Sequence, residues 1–171
     1  MSHTPHSANG SSEPTVYLAG PSGFTAPGLM WHNDILVPRI NAAGLIGKDP
    51  WANQSAIHDV LTTMPFGLER REQLRIANLD QGRYDLQLIR ESRAILAVLD
   101  GCDVDSGTAL EIGYGFALGL LIVGLRTDIR GSGDNEGSEV NLMIETCIAD
   151  SGGIYTTNVD EAIAHVAAHL L

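Results

Sequence analysis

Residues 94–99 read Ala-Ile-Leu-Ala-Val-Leu, and a polar loop, Asp100-Gly-Cys-Asp-Val-Asp105, follows this apolar run directly. An apolar run without polar alternation is typical of a strand buried on both faces, as in a parallel sheet covered by helices. From Ser106 the pattern predicts a helix, with Asp105 or Ser106 as its N-cap. A buried strand, a short loop and a helix together predict an α/β fold.

The same alternation of strand and helix patterns continues through the chain from Thr15. We predict strands at Thr15–Ala19, Leu45–Lys48, Ala94–Leu99, Leu121–Leu125 and Gly153–Thr156. We predict helices at Pro27–Ala43, Leu68–Glu91, Ser106–Gly119, Glu139–Asp150 and Val159–Leu171. Pro38 should kink the first helix, and Gly44 and Gly119 stand where C-caps are expected. Segments 47–67 and 126–138 fit neither pattern, and long loops in compact domains often bind ligands.

These elements predict one domain, 15–171, after a disordered N-terminal tail, 1–14. The domain should contain a single doubly wound, flavodoxin- or Rossmann-like sheet of five parallel strands, with helices on both faces. In such a sheet ligands bind beyond the carboxyl ends of the strands. The segments 20–24, 100–111 and 126–141 and the loop after Lys48 should therefore meet at one edge.

The composition is that of an acidic globular protein. Hydrophobic residues make up 44% of the 171 residues, and 21 acidic against 10 basic residues give a net charge of −11. Nucleic acids and anionic membranes need a basic surface, so neither is expected as a partner. The sequence shows no signal peptide, no apolar run long enough for a bilayer and only two cysteines, which predicts a cytoplasmic location.

Glu111 is the strongest candidate for catalysis because it is the only charged residue between Ser106 and Leu125. Helical spacing places Gly107 and Gly115 on its face, which would leave room for a ligand. The alternatives are a buried glutamate paired with an arginine and a glutamate on a solvated helix face, but a solvated face should carry more than one charge. A lone buried carboxylate is costly, and such groups usually have a function. The N-terminal half of the helix should favour its ionised form.

The sequence lacks the usual signatures of a cofactor or metal site. The turn after the first strand does not have GxGxxG spacing, and no GxxxxGK[ST] loop occurs. His165 and His169 are four residues apart without a third ligand nearby, so we interpret them as surface residues. We therefore expect catalysis without a metal or an organic cofactor.

After Pro14 the chain resembles the nucleoside 2-deoxyribosyltransferase family. The segments that carry the resemblance are Tyr17-Leu-Ala-Gly-Pro with Phe24, Asp49-Pro-Trp-Ala-Asn-Gln54, Asp85-Leu-Gln-Leu-Ile, Asp105-Ser-Gly-Thr-Ala-Leu-Glu111-Ile-Gly, and Asp134-Asn-Glu with Asn141-Leu-Met143. All five occur in order and on the expected elements. The resemblance implies the transfer of a 2-deoxyribosyl group from a nucleoside donor to a free nucleobase by double displacement, through a covalent glycosyl-glutamate.

The resemblance also implies roles for individual residues. Glu111 would be the nucleophile, Tyr17 would orient its carboxylate, and Asp85 would give a proton or hydrogen bond to the departing base. The residues implied in substrate binding are Phe24 and Gln54 at the base, Asp105 at the sugar hydroxyls with Gly107 beside it, and Asn141 with Met143 in a neighbouring subunit's site. Family members are homo-oligomers that share active sites between subunits. The chain ends in His-Leu-Leu, where some members have an aromatic residue that closes the pocket.

Two other functions stay open. A hydrolase of nucleosides or nucleoside 5′-monophosphates would share the covalent step and use water to resolve it. Asp105 would repel a phosphate, although Arg126 and Arg130 lie close enough in sequence to weaken that argument. A non-catalytic nucleotide-sensing module would need no isolated carboxylate such as Glu111.

Overall fold

The computed structural model describes residues 13–171, so the predicted tail lies outside the described residues except for its last two. Five strands form one sheet: β1 (Thr15–Ala19), β2 (Ile46–Lys48), β3 (Ala94–Val98), β4 (Leu121–Leu125) and β5 (Tyr155–Thr156). All neighbouring strands are parallel, in the order β2-β1-β3-β4-β5. This flavodoxin-like order confirms the predicted doubly wound α/β fold.

Seven α-helices are present in the described part of the chain: α1 (Ala26–Trp31), α2 (Val37–Ala42), α3 (Ser55–Thr63), α4 (Leu68–Arg90), α5 (Ser106–Ala117), α6 (Leu142–Asp150) and α7 (Val159–Leu170). Short 3₁₀ turns occupy Ser22–Phe24 and Pro50–Asn53. Gly44 and Gly119 both have a φ of 79°, a left-handed conformation that suits glycine just beyond a helix end. No helix of residues 13–171 is both long and apolar enough to cross a bilayer.

Alternation along the strands divides the core into two layers. Val16 and Leu18 of β1 belong to one cluster of buried apolar residues, which also contains residues of α2 and α7. Tyr17 and Ala19 belong to the opposite cluster, which includes residues of α4, α5 and α6. Because successive side chains of a strand point to opposite faces, Tyr17 must face the layer that contains α5.

The first predicted helix is continuous but changes its winding before Pro38. A π-helical turn, His32–Leu36, joins α1 to α2, and the Val37 N–H donates to the His32 carbonyl. Pro38 has no N–H for the Asp34 carbonyl four residues earlier, so a wider turn is accommodated there. At the site of the predicted kink the structure thus has a π turn, and His32 in this turn is buried.

Several predicted bounds differ from the structure, and three differences are the clearest. The segment 47–67 contains helix α3, whose start lacks a capping side chain and hence the usual sequence signal. Helix α6 begins at Leu142 rather than Glu139 because the Asn141 side chain accepts from the Met143 N–H at 3.0 Å and acts as N-cap. Strand β5 comprises only two residues. The segment 126–138 is irregular, as predicted.

Candidate active site

A hydrogen bond between Tyr17 and Glu111 lies at the centre of the candidate site. Tyr17 is fully buried, and its hydroxyl donates to Glu111 Oε1 at 2.6 Å. The Asp105 side chain starts α5 by accepting from the Thr108 N–H at 3.0 Å, which places Glu111 in the second turn. One Glu111 oxygen is thus held by the protein, and no described group bonds Oε2.

Glu111 and Asp85 line the same cavity between α4 and α5. The cavity has a volume of about 380 Å³, within the usual range for small-molecule sites. Gly107 also lines it, together with Asn78, Leu79, Gly82, Arg83, Leu86, Ile89, Leu110 and Tyr114. Two carboxyl groups therefore share one largely apolar cavity. Many enzymes that cleave glycosidic bonds use a pair of carboxyl groups.

Burial raises the pKa of Glu111 to about 7, although the hydrogen bond from Tyr17 opposes the change, and the charges of Asp85 and Asp105 add to it. We expected the helix N-terminus to favour the anion. Glu111 is the sixth residue of α5, however, and the helix dipole acts mainly within the first turn, so burial outweighs it. Burial and the neighbouring Glu111 also raise the pKa of Tyr17, which keeps its hydroxyl protonated as a donor.

Asp85 is held by a residue that we did not single out in the sequence. The Gln81 Nε2 group donates to Asp85 Oδ1 at 2.8 Å and to the Pro50 carbonyl at 3.2 Å. Burial raises the pKa of Asp85, and the bond from Gln81 opposes this increase. The four-residue spacing of Gln81 and Asp85 on one predicted helix was the available signal.

The segment 49–54 packs against the turn after β1. Asp49 Oδ1 accepts from the Trp51 N–H at 2.9 Å, and Oδ2 lies 3.0 Å from His32 Nε2, though without hydrogen-bond alignment. The Trp51 indole N–H donates to the Gly20 carbonyl at 3.3 Å. A Cβ on Gly23 would lie 2.0 Å from the Trp51 ring, so only glycine permits this packing.

Phe24 and Gln54 are not among the residues that line the Glu111 cavity. Phe24 is 71% exposed, packs nearly perpendicular to the Trp51 ring at 4.9 Å between ring centroids, and lines a separate cavity of about 520 Å³. Gln54 directly precedes α3. Their implied contact with a nucleobase stays a prediction.

Asn141 and Met143 lie on the other flank of α5. They line a cavity of about 310 Å³ together with Ile112 and Cys147, and 64% of Met143 is exposed. The chain does not bring either residue to the cavity of its own Glu111. The resemblance assigned both to a neighbouring subunit's site, and that role stays a prediction.

Gly115 does not belong to the cavity, and this part of our prediction is wrong. A Cβ at Gly115 would lie 2.3 Å from the Ile95 Cδ1 atom, so the glycine permits close packing of α5 on β3. Gly107, one turn before Glu111, does line the cavity. The helical spacing identified the face correctly at Gly107, but α5 rests on the sheet at Gly115.

The two arginines near the site in sequence have other partners. Arg126 is 2% exposed and donates to the backbone carbonyls of Leu99, Gly101 and Arg130. The Arg130 guanidinium forms an ion pair with Asp128. Neither arginine lines the Glu111 cavity.

The histidines at the C-terminus show no ligand arrangement. His165 Nε2 lies 3.1 Å from the Gly152 carbonyl oxygen. Within residues 13–171, no group of three or more His, Cys, Asp or Glu side chains could hold a metal ion.

Comparisons with known proteins agree with this architecture. A conserved protein from Enterococcus faecalis V583 has a similar fold, with a TM-score of 0.65 and 24% identity over 92% of this chain and 99% of that one. A 2-desoxiribosyltransferase from Leishmania mexicana has a TM-score of 0.63 and 22% identity over 92% of this chain and 99% of that one. A 2-deoxyribosyltransferase from Bacillus psychrosaccharolyticus has a TM-score of 0.62 and 24% identity over 91% of this chain and 95% of that one. At such identities the likeness shows the fold.

The sequence itself carries the family assignment. A search of curated protein sequences returned no match. The family model described as nucleoside 2-deoxyribosyltransferase matches residues 16–143, which include β1 except its first residue, β2 to β4 and every proposed site residue. The chain therefore belongs to the nucleoside 2-deoxyribosyltransferase family.

Proposed function

We propose that this protein transfers a 2-deoxyribosyl group between nucleobases through a covalent ester on Glu111. The observation that carries the proposal is the bond of 2.6 Å from Tyr17 to Glu111 Oε1, in a cavity that also contains Asp85. Family membership supports the type of reaction. The geometry supports the assignment of residues, since one acid is held as a nucleophile and the other can serve the base.

In the first half-reaction Glu111 Oε2 attacks the anomeric carbon of the donor. The bond from this carbon to the base nitrogen breaks, and its electron pair leaves with the base. Positive charge builds on the sugar in the transition state, where the carboxylate stabilises it before forming the ester. Tyr17 keeps Oε1 in place, so the ester forms through Oε2.

Asp85 donates the proton that makes the base a better leaving group, a contribution of about 10²–10⁴-fold. In the second half-reaction the acceptor base gives a proton to Asp85 and attacks the anomeric carbon, releasing Glu111. Each displacement inverts the anomeric carbon, so the product keeps the configuration of the donor. The raised pKa of Asp85 suits a group that carries this proton, whereas Glu111 must lose its own proton before it attacks.

A free nucleoside fits the charges better than a nucleoside 5′-monophosphate. Arg126 is occupied by backbone carbonyls and Arg130 by Asp128. Asp85, Asp105 and Glu111 make the surroundings of the cavity acidic. Arg83 lines the cavity but forms an ion pair with Asp80, so a phosphate would meet repulsion there with little to offset it.

We further propose that the enzyme works as a homo-oligomer in which a neighbour's Asn141 and Met143 complete the cavity. Both residues lie away from the Glu111 of their own chain, which supports a role in another subunit. Met143 is well exposed and free to enter a second cavity.

A base-exchange assay tests the function. Deoxyinosine, thymidine and uridine are each mixed with a second free base, and the swapped nucleoside and the free sugar are separated by chromatography. We expect the swapped nucleoside from at least one deoxynucleoside, and none from Glu111→Gln. Free sugar alone would establish hydrolysis instead. Full exchange by Glu111→Gln would refute the nucleophile, and nucleoside binding without any cleavage would favour a sensing module.

A further inference from the structure

Gln81 connects the two sides of the proposed base site through one amide group. Its Nε2 atom donates to Asp85 Oδ1 on α4 and to the Pro50 carbonyl at the start of the 3₁₀ turn Pro50–Asn53. Both partners are acceptors, so both amide hydrogens are used and the orientation of the amide is determined. Gln81 is itself partly buried, which shields these bonds from water.

This bond makes the two oxygens of Asp85 chemically different. Oδ1 accepts a hydrogen from Gln81, so a proton on that oxygen would face the amide N–H and be disfavoured. When Asp85 is protonated, the proton therefore sits on Oδ2, for which no described group is a partner. Only this oxygen can pass a proton to a ligand in the cavity.

We propose that Gln81 is a positioning residue that directs the transferable proton of Asp85 to Oδ2 and ties this carboxyl group to the segment 50–54. The inference rests on the proposed function, because it assumes that Asp85 serves the base. It adds a residue outside the lining of the cavity to the machinery of transfer. It also couples the acid on α4 to the segment that carries Gln54.

Other charged groups around Asp85 act on it as well. Glu111 of α5 lines the same cavity as Asp85. The charge of Asp85 contributes to the raised pKa of Tyr17 on β1, and Asp49 directly precedes Pro50. On α4 itself, Arg83 lines the cavity but forms an ion pair with Asp80. A test must therefore change the bond from Gln81 while leaving these charges in place.

Gln81→Met removes both donors and keeps a side chain of similar length. Gln87→Met is a matched control, because Gln87 lies on the same helix and donates to Glu91 Oε1 at 2.7 Å with the same four-residue spacing, away from the cavity. Gln81→Leu is a second uncharged variant that also lacks both donors. Thermal unfolding of all variants shows that they are folded.

The first readout is the pKa of Asp85, followed by ¹³C-carboxyl NMR in the ligand-free protein and assigned by its loss in Asp85→Asn. We expect this pKa to rise by about one pH unit in Gln81→Met, since a hydrogen bond to the ionised form is lost. It should stay unchanged in Gln87→Met. An unchanged Asp85 pKa in folded Gln81→Met and Gln81→Leu would overturn the proposal.

The second readout is base exchange. We expect kcat to fall about tenfold in Gln81→Met with little change in KM, and to fall no further when Gln81→Met is added to Asp85→Asn, because coupled residues are not additive. Equal, additive losses in both backgrounds would mean that Gln81 acts independently of Asp85, against the proposal. Full exchange by Asp85→Asn would refute the proposed role of Asp85, while the NMR titration would still decide the Gln81 bond.

Discussion

Replacing Glu111 with Gln should abolish transfer and at the same time stabilise the protein at high pH. The folded protein raises the pKa of this carboxyl from 4.5 to about 7, chiefly by burial. The folded state therefore holds the proton more tightly than the unfolded chain does. The stability from this group is fully present below pH 4.5 and is lost as the pH rises through about 7.

The magnitude follows from the size of the pKa change. At 1.36 kcal/mol for each pH unit, ionising Glu111 inside the folded protein costs about 3 kcal/mol well above pH 7. Roughly 2 kcal/mol of this cost develops between pH 5.5 and 8.5. The amide side chain of the Glu111→Gln variant carries no charge, so the stability of this variant should not show the loss. Any other effect of the amide is similar at both pH values.

Urea denaturation at a single protomer concentration measures the free energy of unfolding at pH 5.5 and 8.5. We choose pH 5.5 as the lower value because measurements below it would approach the isoelectric point of the protein, near pH 4.7. We expect the difference in the free energy of unfolding, Glu111→Gln minus wild type, to increase by roughly 2 kcal/mol from pH 5.5 to pH 8.5. Glu136→Gln, in an exposed loop, should show no such growth. If the difference for Glu111→Gln stays constant or decreases as the pH rises, burial does not raise the pKa of Glu111 as we infer.

Three further substitutions test separate parts of the site. Tyr17→Phe removes the donor that opposes the effect of burial on Glu111, so the acid limb of the kcat/KM profile should move up by about one pH unit; an unmoved limb would contradict this. Asp85→Asn should lower the rate of exchange by about 10²–10⁴-fold in the chromatographic assay, and a normal rate would count against its role as the acid. Gly115→Ala should cost about 1–3 kcal/mol in urea denaturation, because its Cβ would clash with β3. Gly113→Ala has open space and should instead gain up to about 1 kcal/mol; equal effects at the two glycines would show that packing on the sheet is not the cause.

Much of the fold was readable from local patterns. Apolar runs indicate the positions of the five strands and their parallel pairing. Glycines at the ends of the helical patterns indicate the left-handed residues after α2 and α5. Helix α3 was missed because no capping side chain precedes it. Helix α6 was predicted three residues too long because its cap is Asn141, not a residue before Glu139.

The sequence also singled out Glu111, since an isolated acid in an apolar helix is visible without coordinates. Its partners were harder to find by spacing. Asp85 resembled the other acids of a polar helix, and only the family resemblance gave it a role. Gln81 was overlooked because a glutamine four residues from an aspartate is common on any exposed helix surface.

Local sequence thus dictated the elements, their caps and the presence of one acid inside α5, because these depend on residues within a few positions of each other. Tertiary packing decided which groups meet: the hydroxyl of Tyr17 reaches Glu111 across 94 positions of sequence. It also decided that Gly115 seats the helix on the sheet, that Arg126 serves backbone carbonyls, and that the pKa of Glu111 lies near 7. Contacts and desolvation are properties of the assembled layers, and no stretch of the chain carries them alone.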